Sequence, residues 1–174
     1  ICSLAELGLE NKYLTEEDKK GIHILSDDAP VGIDALSYLM LDDTYIDFEL
    51  TANRSDLLSM RGMSYEIGAI YNKKFNIEIP KLNESIEKTK DYIEIENKTN
   101  NCYAYKGRIV KNVEIKESPE FIKSRLMSCG IRPINNVVDI SNYVMMLYGE
   151  PLHFFDYNGI GKKVIIRNAL DGEK

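Results

Sequence analysis

Residues 118–156 read SPEFIKSRLMSCGIRPINNVVDISNYVMMLYGEPLHFFD, and this stretch decides the fold class. Ser118 followed by Pro119 is a helix start. Serine can cap unpaired N–H groups, and proline lacks an N–H that the first turn would leave unpaired anyway. Ile122, Leu126 and Cys129 then recur at helical spacing as one buried stripe, and Gly130 ends it. After a turn at Pro133, the spacing predicts a second helix over 136–148, with Val137, Ile140, Val144 and Leu147 on its apolar face. Asn135, Asp139 and Asn142 line up on another face. Gly149 stops this helix, Pro151 prevents its continuation, and His153 falls in the turn beyond.

Strand signals lie upstream of this helical pair. Ile93 and Ile95 alternate with Glu94 and Glu96, and residues 102–105 and 108–115 read as two more strands with Gly107 as a bend or bulge. Farther back, Ile46, Phe48 and Leu50 alternate with Asp47, Glu49 and Thr51. A helix follows, started by Asn53 or Ser55, with Met60, Met63, Ile67 and Ile70 on one face and an end near Asn72. Residues 75–84, with Pro80, read as a linker. The expected class is therefore α+β. A small strand-helix domain over 41–80 is followed from about residue 85 by a mixed, mostly antiparallel sheet with packed helices, incomplete on its C-terminal side. Residues 1–40 are loop-rich.

The chain has 174 residues, 44% hydrophobic and 29% charged, ordinary for a globular chain with a real core. No run of about 18 apolar residues occurs, so no transmembrane helix is expected. Three cysteines at 2, 102 and 129 fit neither a disulfide framework nor a zinc site; reduced, buried thiols in a cytoplasmic protein are the simplest reading. Two histidines exclude a His-rich metal centre. The net charge of −6 argues against a general nucleic-acid coat, yet residues 98–133 hold eight basic and three acidic side chains. Such a module can meet a phosphate backbone, or simply present solvated charge. The absence of an initiator Met, and the stop soon after Val164, Ile165 and Ile166, suggest a piece of a longer protein.

Two stretches carry a family resemblance. The first runs from Asp47 through Asn53-Arg54-Ser55-Asp56 to Ser59, and on through Gly62 and Glu66. The second is Ser118-Pro119 through Arg125-Leu126, then Gly130-Ile131-Arg132-Pro133-Ile134-Asn135-Asn136-Val137-Val138-Asp139-Ile140-Ser141-Asn142-Tyr143-Val144-Met145, closing with Gly149-Glu150-Pro151-Leu152-His153-Phe154-Phe155-Asp156. Together they resemble the β chain of bacterial phenylalanine–tRNA ligases. The resemblance implies that 1–40 is the tail of a tRNA-binding OB domain with its connector. It implies a B1-like domain over 41–80 and the N-terminal part of a B3/B4-like editing domain over 85–174.

In that family the α chain, using ATP and Mg2+, makes the aminoacyl-adenylate and charges tRNA(Phe) within an α2β2 heterotetramer. The β chain hydrolyses mischarged tyrosyl-tRNA(Phe). The resemblance thus implies a cytoplasmic enzyme component with tRNA(Phe) and the α chain as partners, no membrane, and no metal held by this fragment. The division of labour has a physical cause. A pocket shaped for a phenyl ring rejects the same ring bearing one hydroxyl only weakly, so a second site must sort by that hydroxyl.

Matched position by position, the family's Thr-Asn pair of the editing pocket falls on Ser141-Asn142 and its editing histidine on His153. Serine keeps the hydroxyl and loses a methyl. Glu150 stands where a glutamine is usual and Phe154 where a small residue is usual. His153 can orient water or bond the ester end of the tRNA; alone, it equally reads as a satisfied structural histidine. Asn142 can read substrate polar atoms or bond a neighbouring loop, and Ser141 can line the pocket or back-bond within its helix. Arg132 can face tRNA phosphate, or pair with Asp139 or Asp156. Arg54, at a helix entry, can pair with a neighbouring domain. The family's carboxylate for the tyrosine hydroxyl lies beyond residue 174. The competing reading is a non-catalytic architectural or tRNA-binding module of the same β chain.

Overall fold

The computed structural model describes residues 1–76 and 79–173, which form two compact units. The expected linker over 75–84 includes residues 77 and 78, which lie outside the described residues. Helices and a small sheet are both present, so the class is α+β.

The first unit comprises residues 1–75 and 115–154. It contains α1 (Ala35–Tyr38), α2 (Met60–Ile70), α3 (Glu120–Ser128) and α4 (Asn136–Tyr148). Its apolar core is Leu14, Leu39, Leu57, Ile122 and Leu126, drawn from loops, short turns and α3. α4 packs against both α2 and α3. Arg125 of α3 donates to the Tyr143 hydroxyl of α4 at 2.8 Å, and Phe121 meets the Tyr143 ring edge-on with centroids 6.1 Å apart. The buried Ser124 hydroxyl of α3 donates to the Met40 carbonyl just past α1.

Two helix starts differ from expectation, that of α2 by several residues and that of α3 by one. α2 begins at Met60, capped by Ser59, whose hydroxyl accepts from the Gly62 N–H at 3.1 Å. Ser55 instead opens a separate 3-10 turn, Ser55–Leu57. Gly62 lets α2 pack against this turn: a Cβ there would sit 1.7 Å from the Asp56 carbonyl oxygen. At α3, Pro119 occupies the cap position with no side-chain cap, because the Ser118 hydroxyl is taken by Asp139 at 2.5 Å.

Helix faces differ too. Ile122 and Leu126 are buried as the spacing requires, but Cys129 is exposed. Cys2 is also exposed and Cys102 half-buried, so the cysteines are free thiols but not buried ones. On α2, Met60, Ile67 and Ile70 are exposed. On α4 the polar line turns inward at Asp139, while Ile140 is exposed. Within this chain Arg54 forks onto Asp56 at 3.0 and 2.9 Å and reaches Glu66 of α2 at 2.7 Å.

The second unit comprises residues 76–114 and 155–174. β1 (Glu94–Asn97), α5 (Tyr157–Ile160) and β2 (Lys163–Ile166) form it. β1 and β2 run parallel, with Glu94 opposite Lys163 and Asn97 opposite Ile166. This corrects the expected mostly antiparallel sheet. Among the described residues the strands expected over 46–50, 102–105 and 108–115 do not form. Alternation marks a residue run as suited to a sheet; it does not supply the partner whose N–H and C=O groups complete the ladder. Lys163 bridges Glu94 at 2.9 Å and Glu96 at 2.8 Å. Tyr157 donates to the Tyr92 carbonyl at 3.1 Å, and Lys111 lies 4.4 Å above the Tyr92 ring. Among the described residues no helix is long and apolar enough to cross a membrane.

Arg167 forks onto Glu173 beyond β2, and the Leu170 N–H also donates to that carboxylate at 2.8 Å. The guanidinium is the larger influence; together they hold the Glu173 carboxyl at about 2. A depressed carboxyl pKa stabilises the fold above the ordinary glutamate range, and that contribution is lost as pH falls toward 2. In a carboxyl-carbon NMR titration, Glu173 is expected to titrate near 2, and Arg167→Gln to return it toward about 4.3. A midpoint near 4 in the unaltered chain would contradict the fork.

Candidate functional site

Ser141 and Asn142 lie at the middle of α4, and the helix is defined at both ends by local chemistry. Asn135 caps it, accepting from the Val137 and Val138 N–H groups at 3.1 Å each. Gly149 ends it in the left-handed region, φ +77°, with its N–H donating to the Met145 carbonyl at 2.7 Å. A side chain at that φ would be strained, and a Cβ would also crowd Ser59 at 3.3 Å.

Ser141 and Asn142 are both half-buried. His153 is exposed, past Tyr148 at the end of the segment Gly149-Glu150-Pro151-Leu152 that leaves the helix. Glu150 and Phe154 are exposed in the same segment. With about 1.5 Å of rise per residue, Asn142 stands roughly 10 Å before the helix end. All three candidates therefore belong to one unit and one helix-plus-exit segment. Arg132 is exposed in the turn before α4, and the Asp139 oxygens accept instead from the Ser118 hydroxyl at 2.5 Å and from the Ile134 N–H at 2.8 Å. The Arg132 charge acts instead on Glu16, adding to the stronger effect of Lys19 in lowering that carboxyl.

Among the described residues, two of the concavities lie elsewhere. One of about 450 Å³ is lined by Ser64, Ile67, Gly68, Tyr71, Lys73, Lys74 and Phe75. The other, about 520 Å³, is lined by Asn97, Lys98, Thr99, Asn100, Cys102 and Tyr103. Neither includes Ser141, Asn142, His153 or Arg132.

Among the described residues no group of three or more His, Cys, Asp or Glu side chains is placed so that it could hold a metal ion. Sequence reasoning missed the role of Asp139: the spacing set it on a face apart from the apolar one, and the structure buries it at 1% exposure with two hydrogen-bond donors. No local pattern marks that burial, because its partner Ser118 stands 21 residues earlier.

The model for the B3/4 domain family matches residues 101–174, which include all four candidates. Across its whole length the chain is similar to curated phenylalanine–tRNA ligase beta subunits. Identity is 46% to that of Streptococcus agalactiae serotype Ia, 47% to that of Bacillus cereus, and 46% to that of Streptococcus mutans serotype c. In each case 100% of this chain is covered, and the chain spans 22% of the relative's length. A match of this identity over the whole chain, with a domain model on the segment holding α3, α4 and His153, is specific. The chain belongs to the phenylalanine–tRNA ligase β-subunit family, of which it carries one segment.

Proposed function

We propose that this segment supplies one wall of the editing site of a phenylalanine–tRNA ligase, which hydrolyses tyrosine wrongly attached to tRNA(Phe). The observation that carries the reading is the B3/4 domain match over residues 101–174, the stretch holding Ser141, Asn142 and His153. On this reading residues 1–40 are the tail of the preceding tRNA-binding OB domain and its connector. Residues 41–80 are a B1-like domain, and 85–174 begin the editing domain. The whole enzyme is a cytoplasmic α2β2 heterotetramer in which the α chain, with ATP and Mg2+, activates phenylalanine and charges tRNA(Phe).

Within the site, the Asn142 amide and the Ser141 hydroxyl are the groups that read polar atoms of the substrate. His153 orients water or bonds the ester end of the mischarged tRNA. An imidazole open to solvent is within reach of an incoming tRNA end, which suits either role. Arg132, in the turn before α4, is a contact for tRNA phosphate. Tyrosine is selected over phenylalanine because a polar pocket left unfilled by a bare ring is penalised.

The test is release of tyrosine from tyrosyl-tRNA(Phe) by the intact enzyme, with phenylalanyl-tRNA(Phe) as control. His153→Ala is expected to slow tyrosine release by about tenfold or more, equivalent to about 1.4 kcal/mol of barrier. Tyrosine-selective release unchanged by the substitution would move the chemistry away from His153. The second reading is an architectural or tRNA-holding module of the same β chain. Absence of any tyrosine release by the unaltered enzyme would decide for that module.

A further inference from the structure

Asp139 is the one buried charged side chain among the described residues, and the proposed hydrolysis does not use it. Its Oδ2 accepts from the Ser118 hydroxyl at 2.5 Å, and its Oδ1 accepts from the Ile134 N–H at 2.8 Å. Ser118 is itself 5% exposed. Three residues earlier on α4, Asn136 makes a second attachment to the same incoming strand of chain. Its N–H donates to the Lys116 carbonyl at 2.9 Å, and its Oδ1 accepts from the Lys116 N–H at 3.1 Å. Residues 136 and 139 lie one turn apart and so share one side of the helix. Two attachments on one side oppose rotation of α4 about its own axis.

Ser141 and Asn142 follow Asp139 within the next turn, so that rotation decides where they face. The geometry points to Ser118 and Asp139 as positioning residues for the editing site, a role that rests on the function proposed above. Side chains end roughly 5–6 Å from a helix axis, so a turn of about 10° moves them by about 1 Å. Misplacement by about 1 Å can cost on the order of 100-fold in rate. The clamp touches no substrate. It acts through Ser141 and Asn142 by holding the helix face that presents them.

Its test uses the whole α2β2 enzyme carrying Ser118→Ala or Ser118→Thr in the β chain. Three quantities are read: kcat and KM for tyrosine release from tyrosyl-tRNA(Phe), and the rate of charging with phenylalanine. Ser118→Ala is expected to lower kcat about tenfold, with KM and charging each within about threefold of the unaltered enzyme. Ser118→Thr keeps the hydroxyl and is expected to restore most of kcat. An unchanged kcat in Ser118→Ala overturns the positioning role while leaving the editing function standing. A parallel fall in charging that Ser118→Thr does not reverse also overturns it, since the residue then serves only the fold. If the unaltered enzyme releases no tyrosine, the editing function itself fails, and the clamp's role with it.

Discussion

Gly62→Ala is expected to destabilise the chain by about 3 kcal/mol, although alanine is the better helix former by about 1 kcal/mol. The position is the third residue of α2, where propensity alone predicts a gain. The obstacle is the preceding 3-10 turn. A Cβ at Gly62 would stand 1.7 Å from the Asp56 carbonyl oxygen and 2.7 Å from its carbonyl carbon. Those are backbone atoms, so no rotamer change relieves the overlap. Either the start of α2 lifts from the turn, or the turn opens and exposes Leu57, a core residue. The Ser59 cap would be disturbed as well, since the Gly62 N–H is the group it accepts from. For a chain of this size the loss corresponds to a fall in Tm of roughly 6–12 °C. Urea unfolding monitored by circular dichroism measures it. Gly159→Ala in α5 is the control, because nothing lies within 4 Å of a Cβ built there. A Gly62→Ala chain as stable as the original would show that the close approach to Asp56 is not a feature of the folded protein.

Asp139→Ala is expected to cost a similar amount, about 3 kcal/mol, for a different reason. The substitution leaves the Ser118 hydroxyl and the Ile134 N–H without their acceptor in a closed environment. Each orphaned donor costs on the order of 1–3 kcal/mol. It also removes a carboxylate from the first turn of α4, where the helix dipole favours negative charge by roughly 0.3–1 kcal/mol. Relief of the carboxylate's own desolvation offsets part of the loss, which keeps the expected value below the sum. Asp156 provides the scale. It caps α5 by accepting from the Asn158 N–H at 2.9 Å, but it is exposed, so Asp156→Ala is expected to cost only about 1 kcal/mol. A double-mutant cycle of Ser118→Ala with Asp139→Ala isolates the shared bond, with an expected coupling of about 1–2 kcal/mol. Additive single effects would mean that the two side chains do not interact.

These two positions also mark how far local pattern carries. α3 and α4 were legible almost to the residue. Their signals are local: Ile122 and Leu126 at helical spacing, Asn135 at the cap, Gly130 and Gly149 at the ends. The candidate set of Ser141, Asn142 and His153 was legible only through resemblance, since a lone histidine after a helix has no distinctive spacing. Strands were the least legible part. The alternation of Ile93 and Ile95 with glutamates marked β1, but its partner lies about 70 residues later, and pairing with it is parallel. The equally clear alternation at Ile46, Phe48 and Leu50 found no partner among the described residues.

By itself, the sequence of this protein determined its family, its α+β class and the limits of its two principal helices. Each of these follows from contacts within a few residues along the chain or from an extended ordered motif. Only the tertiary structure decided that Ser118 serves Asp139 rather than α3, that α4 turns a carboxylate inward, that Gly62 must remain bare, and that β1 runs parallel to β2. The physical reason is common to the four. A hydroxyl, a carboxylate, a missing Cβ or a strand edge acquires its role from the group placed against it. In the clamp and the sheet that group comes from a distant part of the chain; at Gly62 it comes from the way the chain turns back on itself.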